Sequence, residues 1–345
     1  MKKLLAVLLS MIMLCSAGAA FAAASDIAVL VPNADHGWTG AVLSYAEEKV
    51  AEINAAGAYT AVVIPAADQA NQIAQIEDII ENQSAKSVVI LPYDNTLEAT
   101  MKKLSDSGVP FTMFDRIIDS VAEYAVSSVK GDNEGIGIAT AQRFLEKGLK
   151  PGDAVLIIPG DNSSVPEMRN NGFLKTLLAN GWTQEQVDAI KSTAYTGWSR
   201  SEGKKLFVEW LDASTVDEIT NTKYIFTHDD EIAMGMLEAL KSSEIDPSKK
   251  EAFLAAGVFL GTSSGLNEIY SVLRGIHQKD YSEEVAQLAD LSSVTYDPGM
   301  IKIAVQDIVD YLDGKEVPSD HVVPVDVVDS ANVDEFQGFG DAVSK

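Results

Sequence analysis

The sequence predicts an α/β fold, in which parallel sheets are covered by helices on both faces. Short apolar runs alternate with longer amphipathic segments along the chain after about residue 23. This alternation is typical of parallel sheets, because a crossover, usually a helix, must precede each strand that runs the same way. The roughly 320 residues beyond that point exceed what one hydrophobic core usually holds, so the sequence also predicts two domains.

Strands are predicted at short runs rich in β-branched and aromatic residues, bounded by polar or turn-forming residues. The runs, in chain order, are Ile27–Val31, Ala61–Ile64, Ser87–Leu91, Phe111–Phe114, Ala125–Val129, Ala154–Ile158, Tyr224–Phe226 and Phe253–Phe259.

Helices are predicted between these runs, where apolar residues recur every three to four positions. The isoleucines of residues 72–80 show this spacing along one helix face. The segments are Ala41–Ala55, Gln69–Glu81, Leu97–Ser107, Glu134–Lys147, Pro166–Ala179, Ser201–Leu211, Glu231–Lys241 and Leu266–Leu273.

The first residues of the chain have the pattern of an export signal. Lys2 and Lys3 precede the mainly apolar segment Leu4–Leu14, and the tripeptide Ala20–Ala22 has the small-x-small pattern of a cleavage site. The mature chain is therefore expected to begin at Ala23 and to be periplasmic. The apolar segment is too short to span a bilayer, which takes about 20 residues.

Cys15, the only cysteine, lies inside this signal. The residue before it is Leu14, where a lipoprotein peptidase requires a small residue, so lipid anchoring through Cys15 is not expected. Because removal of the signal leaves the mature chain without a cysteine, disulfides and cysteine catalysis are excluded there. With 51 acidic against 26 basic residues, the net charge of −25 disfavours nucleic acid and anionic lipid as partners.

Polar, aromatic and charged residues concentrate where predicted strands pass into helices. The carboxyl ends of parallel strands line a common crevice, so residues that are distant in sequence meet there. The loops in question are Asn33–Thr39, Pro92–Thr96, Asp115–Asp119, Pro159–Arg169 and Thr227–Glu231.

Four charged residues in these loops are candidates for binding a ligand. Asp115 and Arg116 end one apolar run, Arg169 stands near the start of a helix, and Asp229 follows another run. A carboxylate accepts hydrogen bonds and a guanidinium donates them, so together they suit hydroxyl groups. Two positive and two negative charges leave the proposed site near neutral, which argues against a phosphorylated ligand. Considered alone, Asp115 and Arg116 fit a structural ion pair equally well.

Trp38 and Trp198 also fall in loops at strand carboxyl ends, where core packing explains a large aromatic residue poorly. Aromatic faces cover the C–H face of a sugar ring, so these residues and the charged set predict a neutral, polyhydroxylated ligand. Trp182, by contrast, is expected in an outer loop after Gly181.

Other motifs carry less weight. Gly261–Gly265 matches the G-x-S-x-G nucleophile elbow, so a secreted hydrolase using Ser263 stays an alternative, although a helix-capping loop explains the same residues.

Gly135 and Gly137 begin a dinucleotide-like fingerprint, but Thr140 replaces its third glycine, and packing of a helix against a sheet explains them better. The histidines lack metal-ligand spacing, so no metal and no cofactor is predicted.

With these residues identified, the mature chain resembles the ribose-binding type of periplasmic sugar-binding protein, the solute receptor of a bacterial ABC importer. Three segments in family order carry the resemblance: Phe114–Arg116, Met168–Phe173 and Asp229–Gly235. The resemblance implies a monomeric, non-enzymatic receptor that captures a neutral sugar or polyol by hinge closure and delivers it to permease and ATPase subunits. A sensory module for a chemoreceptor or kinase would share the same fold and stays an alternative.

The resemblance also implies which residues bind the ligand. Two departures from the family pattern mean that ribose itself is not assumed: Asp229 stands where the family has Asn, and Gly257–Thr262 lacks the family's aspartate. The positions implied are His36, Trp38, Asp115, Arg116, Arg169, Trp198, Asp229 and Thr295.

By the same resemblance, two doubly wound parallel-sheet domains are joined by a three-crossover hinge, with the ligand in the cleft between them. The N-terminal domain is expected to comprise residues 23–129 and 297–325, and the C-terminal domain residues 130–296 and 326–345.

Overall fold

The computed structural model describes residues 24–33 and 37–340. The predicted signal, Cys15 and His36 lie outside these described residues. The strands are β1 (Ile27–Pro32), β2 (Ala61–Ala66), β3 (Val88–Ile90), β4 (Phe111–Phe114), β5 (Ser127–Gly131), β6 (Ala154–Ile158), β7 (Lys191–Ser192), β8 (Thr222–Thr227), β9 (Phe259–Ser264), β10 (Asp290–Thr295), β11 (Asp320–Val323) and β12 (Val327–Val328).

The strands form two six-stranded sheets. The first has the order β11-β5-β4-β3-β1-β2, and the second has the order β12-β10-β9-β8-β6-β7. Every pairing is parallel except that of β12 with β10, which is antiparallel. The predicted α/β class with two parallel-sheet domains is thus confirmed, with one antiparallel edge strand in the second sheet.

Helices connect most of the strands, as parallel pairing requires. They are α1 (Gly37–Ala56), α2 (Gln69–Asn82), α3 (Glu98–Asp106), α4 (Asp119–Ala122), α5 (Asn133–Glu146), α6 (Ser164–Ala179), α7 (Gln184–Asp188), α8 (Arg200–Ala213), α9 (Val216–Asn221), α10 (Asp230–Lys241), α11 (Pro247–Ala255), α12 (Asn267–Leu273), α13 (Gln278–Val285) and α14 (Ile301–Leu312). Among the described helices, none combines the length and apolar content needed to cross a membrane.

The chain passes between the two sheets three times. Strand β5 lies in the first sheet, but the helix that follows it, α5, packs on α6 and on β9 of the second sheet. Strand β10 lies in the second sheet, whereas α14 packs on β4 and β5 of the first. The third passage joins β11 of the first sheet to β12 of the second. The exact domain boundaries stay a prediction.

The predicted strand Phe253–Phe259 is wrong except at its last residue, Phe259. Phe253 lies in α11, which begins where the Asp246 side chain accepts hydrogen bonds from two backbone N–H groups and Pro247 occupies the first turn. Gly257, with a φ of 62°, follows the helix, and β9 begins only at Phe259. A capped helix therefore precedes the strand within one apolar stretch.

Trp182 lies in the loop after Gly181, as predicted, but its placement on the outside of the protein is wrong. The residue does follow Gly181, but its side chain is only 4% exposed and belongs to the hydrophobic core. Gly181 has a φ of 93°, in the left-handed region that glycine tolerates, and the backbone N–H of Trp182 donates to the carbonyl of Leu177 at 3.2 Å. The chain therefore turns back at the end of α6.

Gly135 and Gly137 were expected to pack a helix against a sheet. Instead, Gly137 allows α5 to approach α6: a Cβ there would lie 1.9 Å from the carbonyl oxygen of Arg169. On the facing helix, a Cβ at Gly172 would lie 2.0 Å from the carbonyl oxygen of Glu134. For Gly137 the expectation is corrected from helix–sheet to helix–helix packing, because only glycines permit this backbone separation. A Cβ at Gly135 would instead lie 2.3 Å from the Asp132 carboxylate.

Candidate functional site

A small cavity of about 40 Å³ lies where the carboxyl ends of strands from both sheets meet. Its walls come from α1 and α6, from the loops after β4, β6, β7 and β8, and from the crossover after β10. Its lining residues are Trp38, Asp115, Arg116, Asp161, Ser163, Val165, Arg169, Trp198, Asp229 and Tyr296. Six of the eight predicted site residues therefore lie together.

Asp115 and Arg116 occupy a tight turn directly after β4. Asp115 has a φ of 62°, a left-handed conformation that Asp tolerates better than most residues, and its N–H donates to Val129 O at 2.8 Å. Burial raises the pKa of the Asp115 carboxyl, while the charge of Arg116 opposes the shift. The Arg116 guanidinium donates to the carbonyl of Tyr93. The turn thus presents an acceptor and a donor side by side.

Arg169, on α6, is the most strongly anchored charged group of the site and is only 2% exposed. Its Nε donates to Asn133 Oδ1 at 2.9 Å, and its Nη1 donates to Ser263 Oγ at 3.1 Å and to the carbonyl of His228. Burial lowers the pKa of the guanidinium from its usual value. Buried acceptors on neighbouring elements therefore fix its orientation.

Two aromatic rings lie against the Arg169 guanidinium. The distances from its carbon Cζ to the ring centroids are 5.3 Å for Trp198 and 4.9 Å for Tyr296, within the range of cation–π contacts. Trp198 itself has a φ of 63° and packs on Gly160, where a Cβ would lie 2.3 Å from the indole. The glycine therefore makes room for the aromatic wall of the cavity.

Trp38, the second residue of α1, forms the wall on the side of the first sheet. Its Nε1 donates to the carbonyl oxygen of Tyr296 at 2.8 Å. Its ring lies 6.0 Å from that of Phe114, nearly parallel, and 5.5 Å from that of Tyr296. Much of the indole surface therefore packs on protein rings.

Asp229 caps the N-terminus of α10, where its carboxylate accepts from the N–H of Glu231 at 2.8 Å. Burial, with the negative charge of Asp230 as the second cause, raises the pKa of Asp229 to about 8. Asp230 accepts from the N–H groups of Gly265 and Leu266 at 2.8 Å each, but burial still raises its pKa to about 6. At neutral pH the Asp229 carboxyl is therefore mostly protonated and can also donate a hydrogen bond.

Thr295 does not line the cavity. Its N–H donates to the carbonyl of Asp326 at 2.9 Å, and its Oγ1 accepts from the N–H of Asp326 at 2.9 Å. This reciprocal pair ties the second crossover to the third. The neighbouring residue, Tyr296, is the one that reaches the cavity.

Sequence reasoning missed Tyr296, the residues Asp161 and Ser163 of the loop after β6, and Val165 in the first turn of α6. The loop was identified, but only Arg169 was chosen from it. Asp161 accepts from the N–H of Ser163 at 3.0 Å, and Ser163 caps α6, so their polar character also serves the turn. The carboxyl-end position of the loop was the signal that could have identified them.

Ser263, the serine of the G-x-S-x-G match, lies inside β9 and is fully buried. Its hydroxyl donates to the carbonyl of His228 at 2.9 Å and accepts from Arg169. A nucleophile elbow requires an exposed serine on a sharp turn, so this geometry does not fit it. Across residues 24–33 and 37–340, no group of three His, Cys, Asp or Glu side chains is placed to hold a metal ion.

Comparison with known proteins extends this description. The family model described as "Periplasmic binding protein domain" matches residues 27–316. The fructose import binding protein FruE of Bifidobacterium longum is 23% identical over 274 residues, which span 78% of this chain and 74% of that protein.

Solved structures share the fold across nearly the whole chain. An ABC transporter solute binding protein from Mycobacterium smegmatis, with bound glycerol, superimposes with a TM-score of 0.72 at 19% identity, covering 93% of this chain and 100% of that one. The Caulobacter myo-inositol binding protein, bound to myo-inositol, gives a TM-score of 0.70 at 21% identity, covering 90% and 95% of the two chains.

Proposed function

The chain belongs to the periplasmic binding protein family, and we propose that it captures a neutral sugar or polyol and delivers it to an ABC importer. The observation that carries this proposal is the cavity between the two sheets, lined by aromatic rings together with carboxyl and guanidinium groups, most of them buried. Aromatic rings cover C–H faces of a sugar, and the charged groups satisfy its hydroxyls. Members of this family bind their ligands without chemical turnover.

The charge balance of the cavity supports a neutral ligand. The carboxyl groups of Asp115, Asp161 and Asp229 face the guanidinium groups of Arg116 and Arg169. Because the pKa of Asp229 is raised to about 8, that carboxyl is mostly neutral at pH 7. The remaining carboxylates and guanidinium groups then offset one another. A phosphorylated ligand would bring uncompensated negative charge into a buried site, at a large desolvation cost.

The named relatives support the ligand class. One carries fructose import in its name, and the two solved structures hold glycerol and myo-inositol, all of them neutral and polyhydroxylated. Identities of about a fifth do not select among these compounds, so the proposal specifies the class of ligand only.

A thermal-shift panel tests the proposal. A ligand that binds only the native state raises the free energy of unfolding by mass action, by about 2.7 kcal/mol at a ligand concentration of a hundred times Kd. The melting temperature rises accordingly. We expect at least one neutral monosaccharide or polyol to raise it, whereas sugar phosphates and amino acids leave it unchanged. A response confined to amino acids or phosphorylated compounds would contradict the proposal.

Delivery to an importer, export to the periplasm and a monomeric state belong to the same proposal. The sensory alternative would use the same cavity, so ligand binding alone does not distinguish it. Transport assays with the permease and ATPase subunits separate the two roles, because only a transport receptor makes ligand uptake depend on its presence.

A further inference from the structure

Asp229 and Asp230 are neighbouring buried carboxyl groups at the start of α10, and their hydrogen-bond environments are unequal. Asp230 accepts from two backbone N–H groups of residues 265–266, both at 2.8 Å, and from the Ser293 hydroxyl at 2.9 Å. Within the described chain, Asp229 accepts from a single donor, the N–H of Glu231 at 2.8 Å. Because each donor stabilises the charged form of a carboxyl group, the negative charge of the pair lies on Asp230 and the proton on Asp229.

The positive charge of Arg169 does not reverse this assignment. It favours the ionised form of Asp229, but no hydrogen bond joins the two side chains in the described part of the chain. The Nε and Nη1 groups of Arg169 donate instead to Asn133, Ser263 and the carbonyl of His228. Burial and the adjacent carboxylate outweigh the attraction and raise the pKa of Asp229 to about 8.

The second oxygen of Asp229 is available to a ligand. The residue lines the cavity, and the hydrogen bond from Glu231 occupies Oδ1, whereas the described residues provide no partner for Oδ2. Asp115 and Asp161 already supply acceptors to the same cavity. A ligand hydroxyl also has lone pairs, which carboxylates cannot engage but a protonated carboxyl group can. Neutral Asp229 therefore adds a donor on the side of the cavity that follows β8.

We propose that Asp229 binds the ligand as a neutral carboxylic acid that donates a hydrogen bond to a ligand oxygen, so that binding takes up a proton from solvent and weakens in alkaline solution. This inference rests on the proposed function. When the halves separate, water solvates Asp229, and its pKa falls towards the ordinary value of 3.8. The closed, liganded protein then holds more protons than the open one, so affinity falls as the pH rises between that value and the closed-state pKa of about 8.

Other ionisable or charged groups surround Asp229 on several elements. They are Asp230 and Glu231 on α10, His228 before it, Arg169 on α6, Asp115 and Arg116 after β4, Asp161 after β6 and Tyr296 in the second crossover. Burial raises the pKa of Asp115 as well, and it lowers the pKa of His228 well below the usual value. These groups are present in the wild type and in Asp229→Asn alike, and the asparagine keeps a capping side chain, so comparing the two isolates the titration of Asp229.

Calorimetry at pH 6, 7 and 8 tests the inference. The probe is the neutral monosaccharide or polyol with the largest thermal shift in a panel headed by fructose, glycerol and myo-inositol. For the wild type we expect Kd to rise about tenfold or more from pH 6 to 8, since one linked proton changes affinity by at most about tenfold per pH unit. Asp229→Asn keeps a donor and an acceptor, so it should bind within about threefold of the wild type at pH 6 and depend less on pH.

Two further measurements examine the contact and the proton separately. Asp229→Ser keeps a capping hydroxyl on a shorter side chain, so at pH 6 it should bind about tenfold more weakly through loss of the ligand contact. Titrations at pH 7 in phosphate and in Tris, buffers of different ionisation enthalpy, give the number of protons taken up per bound probe. We expect uptake by the wild type and much less by Asp229→Asn.

The outcomes distinguish this inference from the proposed function. If no neutral sugar or polyol binds, the proposed function fails, and this inference fails with it. If a probe binds but wild type and Asp229→Asn show equal pH dependence and equal proton uptake, only the neutral-acid role is wrong. Wild-type affinity in Asp229→Ser would likewise remove Asp229 from the ligand contacts. Should Asp229→Asn not fold, the wild type alone decides, because binding without proton uptake at pH 7 overturns the inference.

Discussion

Asp229 is subject to two opposing influences on its carboxyl group. As the N-terminal cap of α10 it accepts from the N–H of Glu231 at 2.8 Å, which favours the charged form. Burial and the nearby negative charge of Asp230 favour the neutral form, and they prevail, since the pKa rises to about 8. The site therefore contains a carboxyl group that titrates near physiological pH.

We predict that Asp229 makes the protein less stable as the pH rises. The unfolded chain loses this proton near pH 3.8, but the folded protein keeps it until about pH 8. The folded state therefore binds more protons in between, and stability falls by up to about 1.4 kcal/mol per pH unit. Asp229→Asn keeps a good capping residue and removes the titration. The free energy of unfolding, measured in urea between pH 6 and 8, should then decline less steeply.

Asp246→Asn is the control for this measurement. Asp246 also caps a helix, α11, but it is exposed and its pKa is lowered by its hydrogen bonds to Ser248. Its contribution to stability is lost only as the pH falls below its usual range, so the slope between pH 6 and 8 should not change. Equal slopes in wild type and Asp229→Asn would contradict the raised pKa.

At the level of single residues, the sequence predicted which side chains gather at the cavity better than the contacts they make. Asp115 was predicted from its position at a strand end and Arg169 from its position near the start of a helix, and both line the cavity. Thr295 was predicted, but its neighbour Tyr296 reaches the cavity, because side chains alternate in direction along an extended segment. A one-residue shift cannot be resolved without the path of the backbone.

The contact between α5 and α6 is the element on which the position of Arg169 depends. At Gly137 a Cβ would lie 1.9 Å from the carbonyl oxygen of Arg169 and 2.6 Å from the backbone nitrogen of Phe173. Both atoms belong to the backbone of α6, so no side-chain rotation can relieve the overlap. Any larger residue must push the helices apart.

Gly137→Ala should therefore destabilise the protein by about 1–3 kcal/mol, the usual range for overpacking a core. Because α6 carries Arg169, ligand affinity should fall as well. Ile138→Ala is the control on the same helix, since Ile138 is exposed, and its effect should stay within about 0.5 kcal/mol. Denaturant unfolding and calorimetry of both variants check the prediction. Equal stability of Gly137→Ala and wild type would show that the helices can separate freely.

Strands and helices could be predicted from the sequence where their buried residues are apolar. Strands β4 and β6 have the bounds that the sequence predicted. Strand β10 was missed because its buried positions include Ser292 and Ser293, and a search for apolar runs does not recognise such a strand. The hydroxyl of Ser293 donates a hydrogen bond to Asp230 at 2.9 Å. Helix α14 was also missed, although its apolar residues follow a regular helical spacing.

For the molecule as a whole, the three passages of the chain between the sheets place the cavity at the junction of two halves. Asp115 comes from the first half, whereas Arg169 and Asp229 come from the second, and each of these side chains is less than a tenth exposed. A ligand cannot reach groups this deeply buried unless the halves separate. Under the proposed function the protein therefore samples a more open form, and we predict that a ligand contacting both halves favours the closed one.

We predict that ligand binding closes the protein and changes the environment of Trp38 and Trp198 together. Both line the cavity, whereas Trp182 and Trp210 do not. A variant with Trp182→Phe and Trp210→Phe should keep a saturable change in indole fluorescence, and a variant with Trp38→Phe and Trp198→Phe should lose it. Solution scattering should show a smaller radius of gyration in the saturated protein. If the scattering of free and saturated protein superimposes while calorimetry confirms binding, the ligand site lies within one half, and closure between the halves is wrong.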